Sequence, residues 1–153
     1  MNTLLLLHLI GVVVFVGNIV TAAFWKVRAD IGKNPVAIHA AVKSVMLADY
    51  AFTLPGLILI VVSGMLMAKQ AQWPMHGMNW LTVSLLLFAV TGLIWLAVLV
   101  PLQRAMIRHS AASVESGRVT EAYKRASLQW AVFGIAATLL PIVIMYLMVS
   151  KSF

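Results

Sequence analysis

Hydrophobic residues in this chain fall into four long blocks separated by short polar segments. The blocks cover about residues 3–25, 44–68, 79–103 and 127–150. Each block supplies the roughly 20 apolar residues that an α-helix needs to cross the hydrocarbon core of a bilayer. The pattern therefore predicts an all-α membrane protein with a single domain, residues 1–153, built as a four-transmembrane-helix bundle in contact with lipid.

The first block carries small, polar and aromatic residues at spacings of three or four. This spacing places them on one face of a helix. The residues are His8, Gly11, Phe15, Asn18, Ala22 and Trp25. Polar side chains are costly in hydrocarbon and usually turn toward protein or a cavity. The face is therefore predicted to form one wall of a site within the membrane.

The basic residues are distributed unevenly between the two sides of the predicted bundle. Nine of the 11 Lys and Arg residues lie around the first and third linkers, and only Lys69 and Lys151 lie on the other side. Cytoplasmic loops are enriched in Lys and Arg. We therefore expect both termini on the outer, periplasmic side of a bacterial inner (cytoplasmic) membrane. The net charge is +7, but the basic residues lie in short segments between apolar blocks. No nucleic-acid partner is therefore predicted.

Residues from all four helices meet at the predicted depth of His8. His8 lies about 8 Å below the outer end of helix one, at 1.5 Å per residue. A layer with one imidazole, hydroxyls and small residues suits haem b, which takes an axial imidazole in an apolar slot between helices. In the alternative, His8 only hydrogen-bonds a backbone carbonyl or Ser84 and helps packing. The predicted cofactor-binding residues are His8, Gly11, Phe15, Ser63, Gly64, Ser84 and Tyr146, with Gly11 removing bulk beside the ring and Met145 as the alternative to Tyr146.

The sequence leaves the second axial ligand open. His76 in the outer linker, Met65 or Met67 at the end of helix two, or the His8 of a second copy in a homodimer could supply it. The iron could also be five-coordinate, which would suit catalysis or gas binding. His8 with His76 could instead hold copper as a metal site, because the nearby thioethers of Met65 and Met67 favour Cu(I).

A second polar layer is predicted in the inner half of the bundle. Asn18 and Asp49 lie at similar depths on consecutive helices and are expected to hydrogen-bond, as a structural or proton-relay pair. Asp49 is the only acidic residue within a predicted span, which makes it a functional candidate. Asp49 and Asn18 are therefore candidate catalytic residues, with Lys26 and Arg104 as the available cations. In the alternative, helix two enters the membrane only near Asp49, which then lies among headgroups.

Three stretches carry a family resemblance: LHLIGVVVFVGNIVTAAFWK, ADYAFTLPG and WLAVLVPLQ. Through them the chain resembles a family of small bacterial four-helix integral membrane proteins of unknown function. More distantly, the run from His8 to Gly17, the turn Thr53-Leu54-Pro55-Gly56 and Trp80 are similar to HemJ-type membrane protoporphyrinogen oxidases. That resemblance implies a haem and the oxidation of a porphyrinogen. A looser similarity to CopD-like copper-resistance membrane domains implies metal handling.

These observations favour an integral membrane protein that binds haem b through His8. The expected activity is that of an oxidoreductase acting on a porphyrin-like or quinone-like substrate near the outer face. Two other classes stay open. One is a copper or small-solute transport protein, or another metal-handling protein, without haem. The other is a structural subunit of a larger membrane complex.

Overall fold

The computed structural model describes residues 2–151, and the described chain is helical almost throughout. Two five-residue π-helical turns, Asp49–Thr53 and Trp95–Leu99, join α2 to α3 and α4 to α5, so that four continuous rods result. The helices are α1 (Asn2–Gly32), α2 (Pro35–Ala48), α3 (Leu54–Gln70), α4 (Trp80–Ile94), α5 (Val100–Ser116) and α6 (Glu121–Ser150). All four rods are long and apolar enough to cross a membrane. The predicted four-helix membrane architecture is confirmed, while residues 1, 152 and 153 of the predicted domain lie outside the described range.

The rods extend well beyond the predicted spans at one end of the bundle. The first and third linkers are mostly helical, and the chain reverses only near Lys33 and Gly117, whose φ angles are 54° and 72°. Asn34 begins α2 by accepting hydrogen bonds from two backbone N–H groups. The predicted ends were wrong there because hydropathy marks the part of a helix that contacts lipid, not the point where the helix stops. We call this end, with the basic linkers, the inner end and the opposite end the outer end.

Both π turns precede a proline by two residues. Leu54 N–H donates to the Asp49 carbonyl and Val100 N–H to the Trp95 carbonyl, which is the wider spacing of a π turn. The following prolines, Pro55 and Pro101, have no N–H to continue the regular ladder. The first π turn begins at Asp49 and the second at Trp95. Each π turn therefore starts at a residue whose polar side chain lies inside the bundle.

The rods associate as two pairs that are joined mainly at the inner end. In the outer half, α1 packs on α3 and α4 packs on α6, whereas across residues 2–151 α3 makes no close backbone contact with α4 or α6. Near the inner end, α2 packs on α5 and completes a compact apolar core. That core contains Ile38, Val42, Val45, Leu99, Met106, Tyr123, Ala126, Trp130 and Ala137. The packing leaves a gap between the two pairs in the outer half.

A buried ion pair ties α1 to α6 at the inner end. Lys26 is 1% exposed, and its Nζ donates to Asp30 Oδ2 at 2.6 Å and to the Ser127 hydroxyl. Tyr123 donates to the other Asp30 oxygen at 2.5 Å, and the Lys26 ammonium lies 5.1 Å from the Trp130 ring centroid. The inward face of α1 therefore continues from Ala22 to Lys26.

Trp25 does not belong to that face, contrary to the prediction. Its side chain is 64% exposed and packs edge-on against Phe24, with ring centroids 5.2 Å apart. The reason is the helical period, because a step of four from Ala22 leads to Lys26 and a step of three rotates the side chain toward the outside.

Candidate functional site

A cavity of about 240 Å³ occupies the gap between the two helix pairs in the outer half, and we call it the outer slot. Its walls come from all four rods and are almost entirely apolar. Among the residues that line it are His8, Phe15, Gly64, Ser84, Phe88 and Met145. Four of the seven predicted cofactor-binding residues, His8, Phe15, Gly64 and Ser84, thus lie around one cavity.

His8 is held in one orientation by α3. Its Nδ1 lies 3.1 Å from the Ile60 carbonyl oxygen and 3.2 Å from Ser63 Oγ. The Ser63 hydroxyl donates to the Leu59 carbonyl, so both neighbours of Nδ1 act as acceptors. Nδ1 therefore carries the proton and Nε2 the lone pair, and within residues 2–151 no group hydrogen-bonds Nε2. A neutral imidazole with Nδ1–H bound to a carbonyl is the arrangement that metal-ligating histidines use.

The predicted packing contacts of His8 are only partly present. The bond to a backbone carbonyl is confirmed, but Ser84 does not bond the ring. Ser84 is fully buried and donates to the Trp80 carbonyl at 2.6 Å. Ser63 is also buried and contributes through its bond to His8.

The glycine beside the imidazole is Gly64 rather than Gly11. A Cβ on Gly64 would lie 3.2 Å from His8 Cε1. Gly11 lies instead where α1 crosses α3, and a Cβ there would lie 2.9 Å from Leu59 Cβ and 3.0 Å from the Gly56 carbonyl oxygen. The prediction for Gly11 was wrong because α1 and α3 cross one turn below the ring, and the small residue serves that crossing.

Tyr146 does not contribute to the slot. Its side chain is 67% exposed, whereas the adjacent Met145 lines the cavity. Neighbouring helical residues point about 100° apart. The position within the apolar block therefore predicts that helix four reaches the level of His8 near these two residues. It does not predict which of the two side chains faces the slot.

Of the second ligands predicted within this chain, the methionines reach the slot, and a His8 from a second copy stays a prediction. Met65 and Met67 line it, together with Met145 and Met148 from α6. His76 lies in the outer loop, where its carbonyl accepts from Asn79 Nδ2 at 3.2 Å, and it borders a shallow depression next to the slot, with Met65, Trp73 and Met75 lining both. In the described chain no three His, Asp or Glu side chains form a group that could hold a metal. The structure thus does not bring His76 to His8.

Asp49 is the centre of a hydrogen-bond network in the inner half. Its Oδ1 accepts from Asn18 Nδ2 at 3.0 Å and from the Thr53 hydroxyl at 2.9 Å. Its Oδ2 accepts from Gln103 Nε2 at 2.6 Å and from Trp95 Nε1 at 3.3 Å. The predicted bond between Asn18 and Asp49 is confirmed. Four uncharged donors from three rods therefore satisfy this carboxylate.

The expected pairing of Asp49 with a cation was wrong. The Asp49 side chain is only 7% exposed and is enclosed by protein. Lys26, one of the two proposed cations, is engaged with Asp30, and Arg104 does not contact Asp49 among the described residues. Side-chain amide, hydroxyl and indole donors stabilise this buried carboxylate in place of a cation, because hydrogen bonds to both oxygens favour the charged form.

Sequence reasoning missed Trp95 and Gln103 as partners of Asp49. A signal was present for both, because Trp95 lies deep in an apolar block and Gln103 is the polar residue that ends it. The π turn between them changes which side of the rod each residue faces, and regular helical spacing does not include that change.

A second cavity of about 320 Å³ lies beside this network, and we call it the inner cavity. Its polar lining residues are Asp49, Thr91, Trp95, Gln103, Trp130 and Thr138, and the remaining walls are apolar. Phe15 lines both cavities and is 4% exposed, with its ring centroid 6.4 Å from that of Phe88. The Phe15 side chain therefore separates the outer slot from the inner cavity.

Comparison with known proteins identifies a family and nothing more specific. No curated protein and no solved structure matches the chain. The similarity to HemJ-type oxidases and CopD-like domains therefore stays a prediction from short motifs. A family described as "Predicted integral membrane protein (DUF2269)" matches residues 2–152, nearly the whole length. The chain belongs to this family of integral membrane proteins.

Proposed function

We propose that the chain is a haem b-binding membrane oxidoreductase with His8 as an axial ligand in the outer slot. The proposal rests on the protonation and hydrogen bonding of the His8 ring. Its Nδ1 proton is directed to the Ile60 carbonyl, and its Nε2 lone pair has no partner among the described residues. A haem bound there would supply one-electron chemistry. The substrate would be porphyrin-like or quinone-like.

The shape of the outer slot is compatible with a flat group. The α1–α3 pair and the α4–α6 pair stand apart in this half, and Gly64 packs against the Cε1–Nδ1 side of the imidazole, where a larger residue would not fit without a shift. The enclosed 240 Å³ is slightly below the roughly 300–1,000 Å³ of typical ligand pockets. A macrocycle would therefore fit only with one edge at the open side, where Leu9 and Val149 are 51% and 85% exposed.

The outer mouth of the slot carries a positive charge. Lys151 Nζ lies 4.7 Å from the ring centroid of Trp73, and Trp73 lines the slot. A cation at this position would pair with the carboxylates at the polar edge of a haem. Met145 on the opposite wall and Met67 on α3 are the candidate second ligands, because a Met/His pair is a known axial set.

The Asn18–Asp49 pair would act as a structural element in this account. Both Asp49 oxygens are already bonded by uncharged donors, and the pair lies on the opposite side of Phe15 from the outer slot. The network would fix the two helix pairs relative to each other, and so would set the width of the slot.

The absorbance spectrum of the detergent-purified chain tests the proposal. We expect a Soret band after haem is added, saturating at one haem per chain. The band should be lost in His8→Ala, because the ligand nitrogen is removed. It should be retained in His76→Ala, the matched control, since His76 lies outside the slot. A His8→Ala protein that binds haem as tightly as the unmodified chain would contradict the proposal.

A second candidate function is Cu(I) handling without haem. It is favoured by the thioethers of Met65, Met67, Met145 and Met148, which line the slot with His8, because soft ligands select Cu(I). A colourless protein that retains copper, and loses it when Met67 and Met145 are changed to leucine, would support this function instead. Nothing in the fold favours a purely structural subunit.

We further propose that the chain lies in a bacterial inner membrane with both termini outside, because the basic linkers lie at the inner end. The chain contains no cysteine, which permits a clean labelling experiment in intact cells. Gln72→Cys, at the outer end, should react with a membrane-impermeant maleimide, and Glu115→Cys should react only after permeabilisation. Both positions are exposed. The reverse labelling pattern would contradict the orientation.

A further inference from the structure

The inner cavity contains two buried polar atoms without a partner. Gln103 Oε1 and Trp130 Nε1 lack a hydrogen bond among the described residues, and their side chains are 2% and 8% exposed. A buried polar group without a hydrogen bond destabilises the folded state, and native proteins rarely leave such a group without a partner. Both side chains line the same cavity, so one molecule that accepts from Trp130 and donates to Gln103 would satisfy both.

The charges around the cavity favour a neutral molecule. Both oxygens of Asp49 are already saturated by donors, and its negative charge disfavours an anion. The Lys26 ammonium, 5.1 Å from the Trp130 ring centroid, disfavours a second cation. The molecule must also carry an O–H or N–H group, since Gln103 Oε1 can only accept.

The walls of the inner cavity favour a small aromatic ring. Phe15, Trp95 and Trp130 supply rings that can pack against it. Gly92 on α4 and Gly134 on α6 leave space, because an added Cβ at either position would meet no atom within 4 Å. The volume of 320 Å³ falls at the small end of the roughly 300–1,000 Å³ expected for ligand pockets.

The cavity also has an entrance from the membrane. Ile135 and Leu139 of α6 line it, yet they are 62% and 56% exposed on the apolar outside of the bundle. The cavity is also lined by Val27 of α1, and α1 contacts α6 only weakly, so a molecule dissolved in the bilayer could insert its ring between α1 and α6 and leave an apolar tail among the lipids.

From these observations we infer that the inner cavity binds the hydroxyl-bearing ring of a lipid-soluble quinol. One ring hydroxyl donates to Gln103 Oε1, and a ring oxygen accepts from Trp130 Nε1. The inference would specify the substrate class of the proposed oxidoreductase. It rests on the inner cavity alone, however, and does not require haem in the outer slot.

Equilibrium dialysis of a short-tailed benzoquinol, kept reduced with ascorbate, against the purified chain in detergent tests the inference. Empty micelles give the background from partitioning. We expect saturable binding of one quinol per chain. The dimethyl ether of the same quinol, which has no O–H group, should bind at least tenfold more weakly. Trp130→Phe, which keeps a ring but removes the N–H donor, should weaken quinol binding about three- to tenfold.

Matched variants of α6 test the location of the site. Gly134→Leu fills the cavity and should weaken quinol binding at least tenfold, while Ala136→Leu, exposed two residues later, should leave it unchanged. His8→Ala should also bind the quinol normally, so that failure of haem binding and failure of this inference are distinguishable. Binding that does not saturate above the micelle background, equal binding of the ether, or unchanged binding in Gly134→Leu would overturn the inference.

Discussion

Replacing Asp49 with alanine is expected to lower the free energy of unfolding by about 3 kcal/mol or more, because each buried donor left without its acceptor costs about 1–3 kcal/mol. The change removes the acceptor of four donors, which are the side chains of Asn18, Thr53, Trp95 and Gln103, and only Asn18 keeps another bond, to the Thr53 hydroxyl at 2.9 Å. Because these donors come from three rods, their loss should also loosen the contact between the two helix pairs. The apparent melting temperature in detergent and unfolding in mixed micelles measure the effect.

Asp49→Asn is the matched control for this variant. The asparagine keeps an oxygen that accepts from Asn18 and Thr53. Its Nδ2 can donate to the unpartnered Gln103 Oε1 once the side-chain amide of Gln103 has rotated. We therefore expect a smaller loss of about 1–2 kcal/mol. An Asp49→Ala protein that melts with the unmodified chain would show that the network does not hold the bundle together.

Gly11→Leu is expected to separate α1 from α3 and to disrupt the position of His8. The first added atom alone would lie 3.0 Å from the backbone oxygen of Gly56 and 2.9 Å from Leu59 Cβ. A backbone atom cannot move aside as a flexible side chain can, and overpacking of this kind costs about 1–3 kcal/mol. The His8 bonds to Ile60 and Ser63, at 3.1 and 3.2 Å, depend on the same crossing. Haem affinity should therefore fall together with the melting temperature.

Gly17→Leu provides the comparison on the same helix. A Cβ at Gly17 meets no atom within 4 Å, so its melting temperature and its haem affinity should stay close to those of the unmodified chain. If Gly11→Leu behaved in the same way as Gly17→Leu, the close crossing of α1 and α3 would not be what positions His8.

Periodicity predicted those features that depend on one helix face or on helices adjacent in sequence. The spacing from His8 to Asn18 gave the inward face of α1, and equal depths on consecutive helices gave the bond between Asn18 and Asp49. In both cases regular helical geometry was sufficient, since α1 is an unbroken helix.

The failures share a physical cause, which is rotation about a helix axis. The outer slot is bordered by Met145 rather than Tyr146 and by Gly64 rather than Gly11. The points where helices cross fix the rotation of each helix about its axis. The depth of a residue in the membrane does not determine that rotation. Trp95 and Gln103 reach Asp49 across a π turn, whose extra residue shifts the face of the rod.

The central claim is that His8 Nε2 is a haem ligand, and rescue of a cavity variant tests it most directly. His8→Gly removes the ring and leaves space for free imidazole beside Gly64. We predict that His8→Gly with added haem lacks the Soret band of the unmodified chain, and that millimolar imidazole restores the band. A full band in His8→Gly without imidazole, or no haem binding by the unmodified chain, would contradict the claim.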